Sequence, residues 1–174
     1  MYREAEAALR RAQFACEANR SQFPGNCAGI LSDLGVVAFE RGMVREAAKF
    51  YQHSISALQT APHRDERLLA KALDGHASAL LALGRIAEAE PPLLQALELR
   101  DHDSPDATLA RVLGHLAIVH AKQGRLDSAE QFVSRALRTA EETNAKAELV
   151  VLLCSFDFLG FLPISYLHDS RCIS

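Results

Sequence analysis

The sequence predicts an all-α fold of antiparallel helix hairpins stacked in series, and three observations predict it. First, the block Leu31, Leu34, Gly35, Ala38, Gly42, Ala47, Tyr51, Ser54 returns as Leu73, His76, Ala77, Leu80, Gly84, Ala89, Leu93, Ala96. It returns again as Leu113, Leu116, Ala117, His120, Gly124, Ala129, Val133, Ala136. Self-similarity at a fixed period of this length marks a repeat architecture. Second, the strong helix formers alanine and leucine carry the apolar content, while aromatics are 6% of the chain and Trp is missing. Third, glycine stands at the same place in all three copies, where one helix must end and the chain turn back.

Taken in order, the chain opens on the second helix of a hairpin, over 2–20, because Ala5, Leu9 and Ala12 match Ala47, Tyr51 and Ser54. Phe23-Pro24-Gly25-Asn26 carries turn chemistry and leads into a helix at 27–41. There Leu31, Leu34 and Ala38 fall about one turn apart and make an apolar stripe. Gly42 ends that helix, and its partner follows at 44–60. The loop Ala61-Pro62-His63-Arg64 precedes the second hairpin, 66–83 and 86–100, turned at Gly84. The loop Asp101-His102-Asp103-Ser104-Pro105 precedes the third, 106–123 and 126–142, turned at Gly124. A last helix at 145–160 repeats the first-helix pattern through Leu149, Leu152, Leu153, Phe156 and Gly160. Gly35, Ala77 and Ala117 are small and let the paired helix approach, and Ala47, Ala89 and Ala129 do so from the other side. The expectation is about eight helices. They form a half repeat at 1–20, repeats at 27–60, 66–100 and 106–142 and a half repeat at 145–160, in one domain spanning 1–162 with an irregular tail at 163–174. Pro91-Pro92 conflicts with the helix at 86–100 and is expected to mark a late helix start in preference to a bend.

Three stretches carry a family resemblance. They are Leu31-x-x-Leu-Gly-x-x-Ala with Gly42, Glu46-Ala47 and Tyr51, then Gly84-Arg-Ile-Ala-Glu-Ala-Glu90, then Leu113-Gly-His-Leu-Ala117 with Gly124-Arg-Leu-Asp-Ser-Ala-Glu130 and Ala136-Leu137. They resemble the tetratricopeptide-repeat family over about residues 1–160. The glycine spacings of 42 and 40 exceed the family's usual period of about 34. In this the chain is similar to the long-helix variety found in kinesin light chains and bacterial regulators. It departs from the pattern at the proline after the second helix, since Pro62 and Pro105 lie near that place but are not equivalent.

The resemblance implies a right-handed superhelical solenoid whose concave groove is lined by first helices and receives a peptide or protein segment. In this register the first repeat offers Asp33, Val36, Phe39 and Glu40 to the groove. The second offers Lys71, Asp74, Ser78 and Leu81, and the third Arg111, Gly114, His115, Ile118 and Lys122. Phe39, Leu81 and Ile118 suit apolar side chains, and Lys71, Arg111 and Lys122 suit a carboxylate. The competing reading is that these are the solvated sides of helices and that a partner uses an edge or the convex face. Family members that grip a C-terminal carboxylate use a Lys and two Asn in the groove. Here the matching places hold Gly29, Asp33, Gly75 and His115, so that subtype is not expected, although Lys71 and Arg111 fit its basic places.

Other chemistry is sparse. The net charge is −3 and the densest basic cluster is Arg10-Arg11, so nucleic-acid binding is not expected. Cys16, Cys27, Cys154 and Cys172 show no metal-ligand spacing and read as free thiols of a reducing cytosol. His115 and His120 are out of phase for a shared metal face, and His76 and His120 read as core or interface residues. Asp101-His102-Asp103 reads as a solvated turn. Glu4, Glu6, Glu46, Glu88, Glu90 and Glu130 recur near the starts of second helices, where the helix dipole favours them. No nucleophile elbow, phosphate loop or zinc motif occurs. No catalytic, cofactor or metal site is therefore expected, and no enzymatic activity. Met1-Tyr2-Arg3-Glu4 runs straight into an amphipathic pattern, so a cytoplasmic protein without a signal peptide is expected.

The expected function is a protein-interaction scaffold. One alternative is a sensory or regulatory segment of a larger enzyme or transcription regulator. Another is self-assembly through unpaired terminal helices, since the helix at 145–160 would expose Val150, Val151, Cys154 and Phe158, with Phe161 and Leu162 beside it. A membrane anchor over Leu149 to Leu167 is disfavoured, because Asp157 at its centre costs about 2.5–3.5 kcal/mol to insert.

Overall fold

The computed structural model describes residues 7, 10, 11, 14, 24–63, 65–100 and 105–144. Six helices and no strands occur among them: α1 (Pro24–Glu40), α2 (Val44–Thr60), α3 (Glu66–Ala82), α4 (Ile86–Arg100), α5 (Ala107–Lys122) and α6 (Leu126–Glu142). Ala7, Arg10, Arg11 and Phe14 are helical as well. The rest of the half repeat expected at 1–20, the helix at 145–160 and the tail at 163–174 lie outside the described residues. The chain divides into two compact units, Met1–Leu99 and Arg100–Ser174.

Each hairpin turn has one construction. Gly42, Gly84 and Gly124 stand at φ +74°, +74° and +76°, as the requirement for a left-handed residue past a helix end demands. In the first turn the Gly42 N–H donates to the Phe39 carbonyl (2.8 Å) and the Met43 N–H to the Ala38 carbonyl (2.9 Å). The second turn repeats this with Gly84 to Leu81 (3.0 Å) and Arg85 to Leu80 (2.9 Å). The third does so with Gly124 to Ala121 (3.0 Å) and Arg125 to His120 (2.9 Å). This Schellman pairing satisfies carbonyls that the helix itself cannot. Met43 then packs against the Ala38–Ala47–Tyr51 cluster, which adds the apolar contact typical of the motif. After α6 the same duty falls to Asn144, at φ 51°.

Starts of first helices are handled differently. The Asp65 carboxylate accepts from the Leu68 N–H (3.0 Å) at α3, and Asp106 accepts from the Leu109 N–H (2.8 Å) at α5. Such caps contribute about 1 kcal/mol each. Asp106 also receives the Arg100 guanidinium at 2.5 Å, and Arg100 is 1% exposed. Removing the Asp106 carboxylate, itself 37% exposed, would strand the buried guanidinium of Arg100.

Two expectations about prolines are corrected. α1 starts at Pro24, so the expected turn is already helix. A proline is at home there, since the missing N–H belongs to the first turn, which has no intrahelical acceptor. α4 starts at Ile86 with Pro91 and Pro92 inside it, so the late start does not occur. The carbonyls they leave unpaired belong to Ala87 and Glu88, both exposed, where water can serve them.

Within the first unit Tyr51 of α2 is wedged between neighbouring helices. A Cβ built on Gly35 of α1 would lie 2.7 Å from its ring, and one on Gly75 of α3 would lie 2.5 Å from it. Both glycines are helical, so what they supply is room. The matching places in later repeats are Ala77 with Leu93 and Ala117 with Val133, all buried. A smaller partner there tolerates a methyl group. Ser54 adds a buried bond from α2 to the Ala28 carbonyl of α1 (2.7 Å). The rest of the core is aliphatic: Leu34, Leu58, Leu69 and Leu93 in the first unit, and Leu113, Leu116, Leu137, Val112 and Val119 in the second. Each contributes about 1.5–3 kcal/mol by leaving water.

Two glycine substitutions separate backbone strain from steric overlap. Nothing lies within 4 Å of a Cβ on Gly84, so Gly84→Val is expected to cost about 1–2 kcal/mol through φ alone. Gly75→Ala is expected to cost about 1–3 kcal/mol through overlap with Tyr51. In a Tyr51→Leu background it should become neutral or stabilising by up to about 1 kcal/mol, because alanine is then simply the better helix former. Urea unfolding midpoints of the natural chain, Gly84→Val, Gly75→Ala, Tyr51→Leu and the Tyr51→Leu/Gly75→Ala double variant measure both effects.

Candidate protein-interaction face

Second helices bury one side. α6 buries Ala129, Val133, Ala136, Leu137 and Ala140, about one turn apart, and leaves the other side to solvent. First helices are buried on more of their circumference. α5 buries Leu109, Ala110, Val112, Leu113, Gly114, Leu116, Ala117, Val119 and His120. One register with spacings of four, three and four is accessible on every first helix; on α5 it takes in most of the accessible positions, while α1 and α3 leave further positions half-buried beside it, such as Ile30, Val37, His76 and Leu81. On α1 the register is Gly29, Asp33, Val36 and Glu40; on α3, Lys71, Gly75, Ser78 and Ala82; on α5, Arg111, His115, Ile118 and Lys122. The repeat shifts of 42 and 40 carry each stripe onto the next.

In the first unit α1 and α3 pack directly on one another. Lys71 Nζ lies 3.5 Å from Asp33 Oδ1, with the two side chains 46% and 56% exposed. So exposed a pair contributes between zero and about 1 kcal/mol. Val36 is exposed, Ser78 and Leu81 are half-buried, and Glu40 is exposed. Phe39 packs with Met43 and Phe50 against Ala38, Ala47 and Tyr51, which makes it a flank of the core. Asp74 is 2% exposed, so it presents no surface to a partner, and Gly114 at the matching place in the second unit is buried too. Both lie one residue out of phase with the accessible register, and one residue is about 100° around a helix. Ala82 occupies an accessible place that the groove set does not include, and Gly75, matched above only to the carboxylate-gripping subtype, is accessible too. Translating Asp33 and Glu40 by one repeat would have found them.

In the second unit Arg111, His115 and Ile118 are half-buried and Lys122 is exposed. A separate concavity of about 520 Å³ runs along α6, lined by Asp127, Glu130, Gln131, Ser134, Arg135 and Arg138. It mixes both charge signs and has no apolar anchor.

The remaining candidates are structural. The His76 ring sits between helices with Nδ1 3.2 Å from the Ala48 carbonyl, to which an Nδ1–H donates. Burial holds its pKa below the usual imidazole value, opposed by that hydrogen bond; Arg85 lowers it further and Glu88 raises it. The buried His120 meets Phe132 edge to face, with ring centroids 4.9 Å apart. Arg85 and Glu88 form a two-pronged ion pair at the start of α4, with Nε to Oε1 at 2.7 Å. It draws the Glu88 carboxyl down and the Arg85 guanidinium up. Glu46, Glu88 and Asp127 occupy the first turns of α2, α4 and α6, as the helix dipole favours, while Glu90 and Glu130 lie further in. Cys27 is buried, 6% exposed. Among the described residues no helix is long and apolar enough to cross a membrane. The segment Leu149 to Leu167 and the proposed self-association residues Val150, Val151, Cys154, Phe158, Phe161 and Leu162 lie outside the described residues.

Hairpins closed by left-handed glycines, with one accessible stripe per first helix, define a helical-repeat interaction protein. The Tetratricopeptide repeat family model matches residues 26–102 and again residues 68–142, and the chain belongs to that family. Among solved structures it is similar to BtubC (BKLC) from P. vanneervenii, with a TM-score of 0.71 and 19% identity over 99% of this chain and 69% of that one. It is also similar to NprR, solved in complex with its cognate peptide NprX, with a TM-score of 0.67 and 21% identity over 95% of this chain. The chain spans 49% of NprR. At these identities the likeness is one of fold. No curated protein matches the chain.

His76 makes stability depend on pH. Its folded pKa lies below the ordinary 6.5, so the unfolded chain binds the proton more readily. The contribution is complete above pH 6.5 and is lost as pH falls toward the folded value. Between pH 7.5 and 5.5 the thermal midpoint of the natural chain should fall more steeply than that of His76→Gln. Parallel slopes would show that His76 contributes nothing.

Proposed function

We propose that the chain is a protein-interaction module that holds a peptide or protein segment along the accessible face of its first helices. The observation that supports this most is the recurrence of one stripe at one register on α1, α3 and α5, although these helices differ in nearly every residue that lines it. A register left open on each successive first helix presents a seat for a segment running beside it. NprR, a protein of the same fold, was solved with a peptide bound. That agrees with a peptide-sized partner. The set proposed to touch it is Asp33, Val36, Glu40, Lys71, Ser78, Leu81, Arg111, His115, Ile118 and Lys122, with Phe39 at the edge.

The experiment is affinity capture with the full chain, its binders identified by mass spectrometry and then tested one by one in purified form. Reversing Lys71 and Arg111 together to Glu should weaken a true partner about tenfold or more, with helicity by circular dichroism unchanged. Reversing Lys49, exposed on α2, should leave affinity within about twofold. Equal loss from both changes, or from neither, would move the interface to the outer helices or the loops.

A further inference from the structure

The three hairpin turns share one backbone but not one residue after the glycine. In a turn of this kind that residue commonly adds an apolar contact to the end of the helix just closed. In the second and third turns it is Arg85 and Arg125, both exposed, and Arg85 is paired with Glu88. In the first turn it is Met43, half-buried and packed against Ala38, Ala47 and Tyr51 together with Phe39 and Phe50. An arginine carries its polar group at the end of a long stem and reaches water with it. A methionine carries its reactive atom, the sulfur, within the stem, so an oxygen added there sits close to the cluster. Met43 is the only methionine of the chain besides Met1.

We propose that Met43 is a reversible oxidation site whose sulfoxide loosens the first hairpin. The oxidant is a peroxide. The Met43 sulfur attacks one peroxide oxygen with a lone pair, the O–O bond breaks and an S–O bond forms. With hydrogen peroxide the second oxygen leaves as water. The sulfur is oxidised by two electrons and the peroxide is reduced by two. Half-burial serves both steps of the argument: the side chain is open enough for a peroxide to reach, and packed enough for the product to be felt. The sulfoxide is polar, and a polar group set against apolar side chains gives up hydration without gaining a partner. Tyr51 belongs to the same cluster and meets α1 at Gly35 and α3 at Gly75. Weaker packing around Met43 therefore reaches α1, α2 and α3 together. A thiol-dependent methionine sulfoxide reductase reverses the change: the oxygen leaves as water, two thiols become a disulfide and the thioether is restored. The arginines at the matching places have no such chemistry, so the effect is confined to the first hairpin.

The full chain is treated with hydrogen peroxide and then with dithiothreitol, which reverses disulfides and sulfenic acids at the four cysteines but leaves a sulfoxide in place. Peptide mass spectrometry should find one added oxygen on Met43. The thermal midpoint should fall by about 2–4 °C or more, and methionine sulfoxide reductase supplied with dithiothreitol should restore it. Amide hydrogen exchange should quicken over 38–51 and not over the matching 80–93 and 120–133. Met43→Leu, treated alike, should keep its midpoint. Met43→Arg, with the residue type of the sister turns, is the second oxidation-resistant chain and takes its place if the leucine chain does not fold. Met43 left intact while free methionine in the same solution is fully converted overturns the site. A midpoint unmoved by the sulfoxide, a fall no larger than that of the resistant chain, or exchange that quickens equally at all three turns overturns its hold on the first hairpin.

Discussion

The left-handed backbone at Gly42, Gly84 and Gly124 is the constraint from which the other features of each hairpin follow. With the chain reversed by one residue and two backbone bonds, the second helix starts almost at once. Its rotational phase relative to the first is then no longer free. That phase decides which side of the first helix is covered, and so where the accessible line falls. A looser turn would leave the same residues in place on the helix but let the covered side wander. The accessible stripes recur at one register because the turns are the same to within a few degrees and a few tenths of an ångström.

Each side of a helix meets a different requirement. Buried sides are met by small and aliphatic residues, and some polar groups enter with an arrangement that serves them, as with Ser54 on the Ala28 carbonyl and Arg100 on Asp106. Open lines carry no packing requirement, so they are free to vary between repeats. Variation of that kind is what a family built on one backbone needs to recognise different partners.

Much of this was legible in the residues. Glycine at a helix end has one strong physical meaning, so the three turns and their positive φ could be read directly. The helices at 44–60, 86–100 and 126–142 follow from periodicity bounded by those turns. What escaped notice depended on finer phase or on distant partners. The repeat register puts Asp74 among the groove positions, and a shift of one residue is enough to bury it. Pro91 and Pro92 argue against helix by propensity, but exposure of Ala87 and Glu88 removes most of the objection. The Arg100–Asp106 pair spans a loop and leaves no periodic trace. The room that Gly75 supplies serves Tyr51, which lies on another helix and is not signalled by the local sequence.

The wedge of Tyr51 between Gly35 and Gly75 also bears on the order in which such a repeat can diverge. From an ancestor with alanine at both places, a large ring at position 51 is inaccessible in one step, because it would collide on two sides. Either glycine, by contrast, can arise beforehand at the modest cost of a weaker helix former. Once the ring is seated, each glycine becomes difficult to reverse, since the space it vacated is occupied. The first repeat is in this sense historically locked. Its sister repeats, with Leu93 and Val133 in place of the ring, keep more freedom to drift, so sequence change in this chain should accumulate unevenly along it.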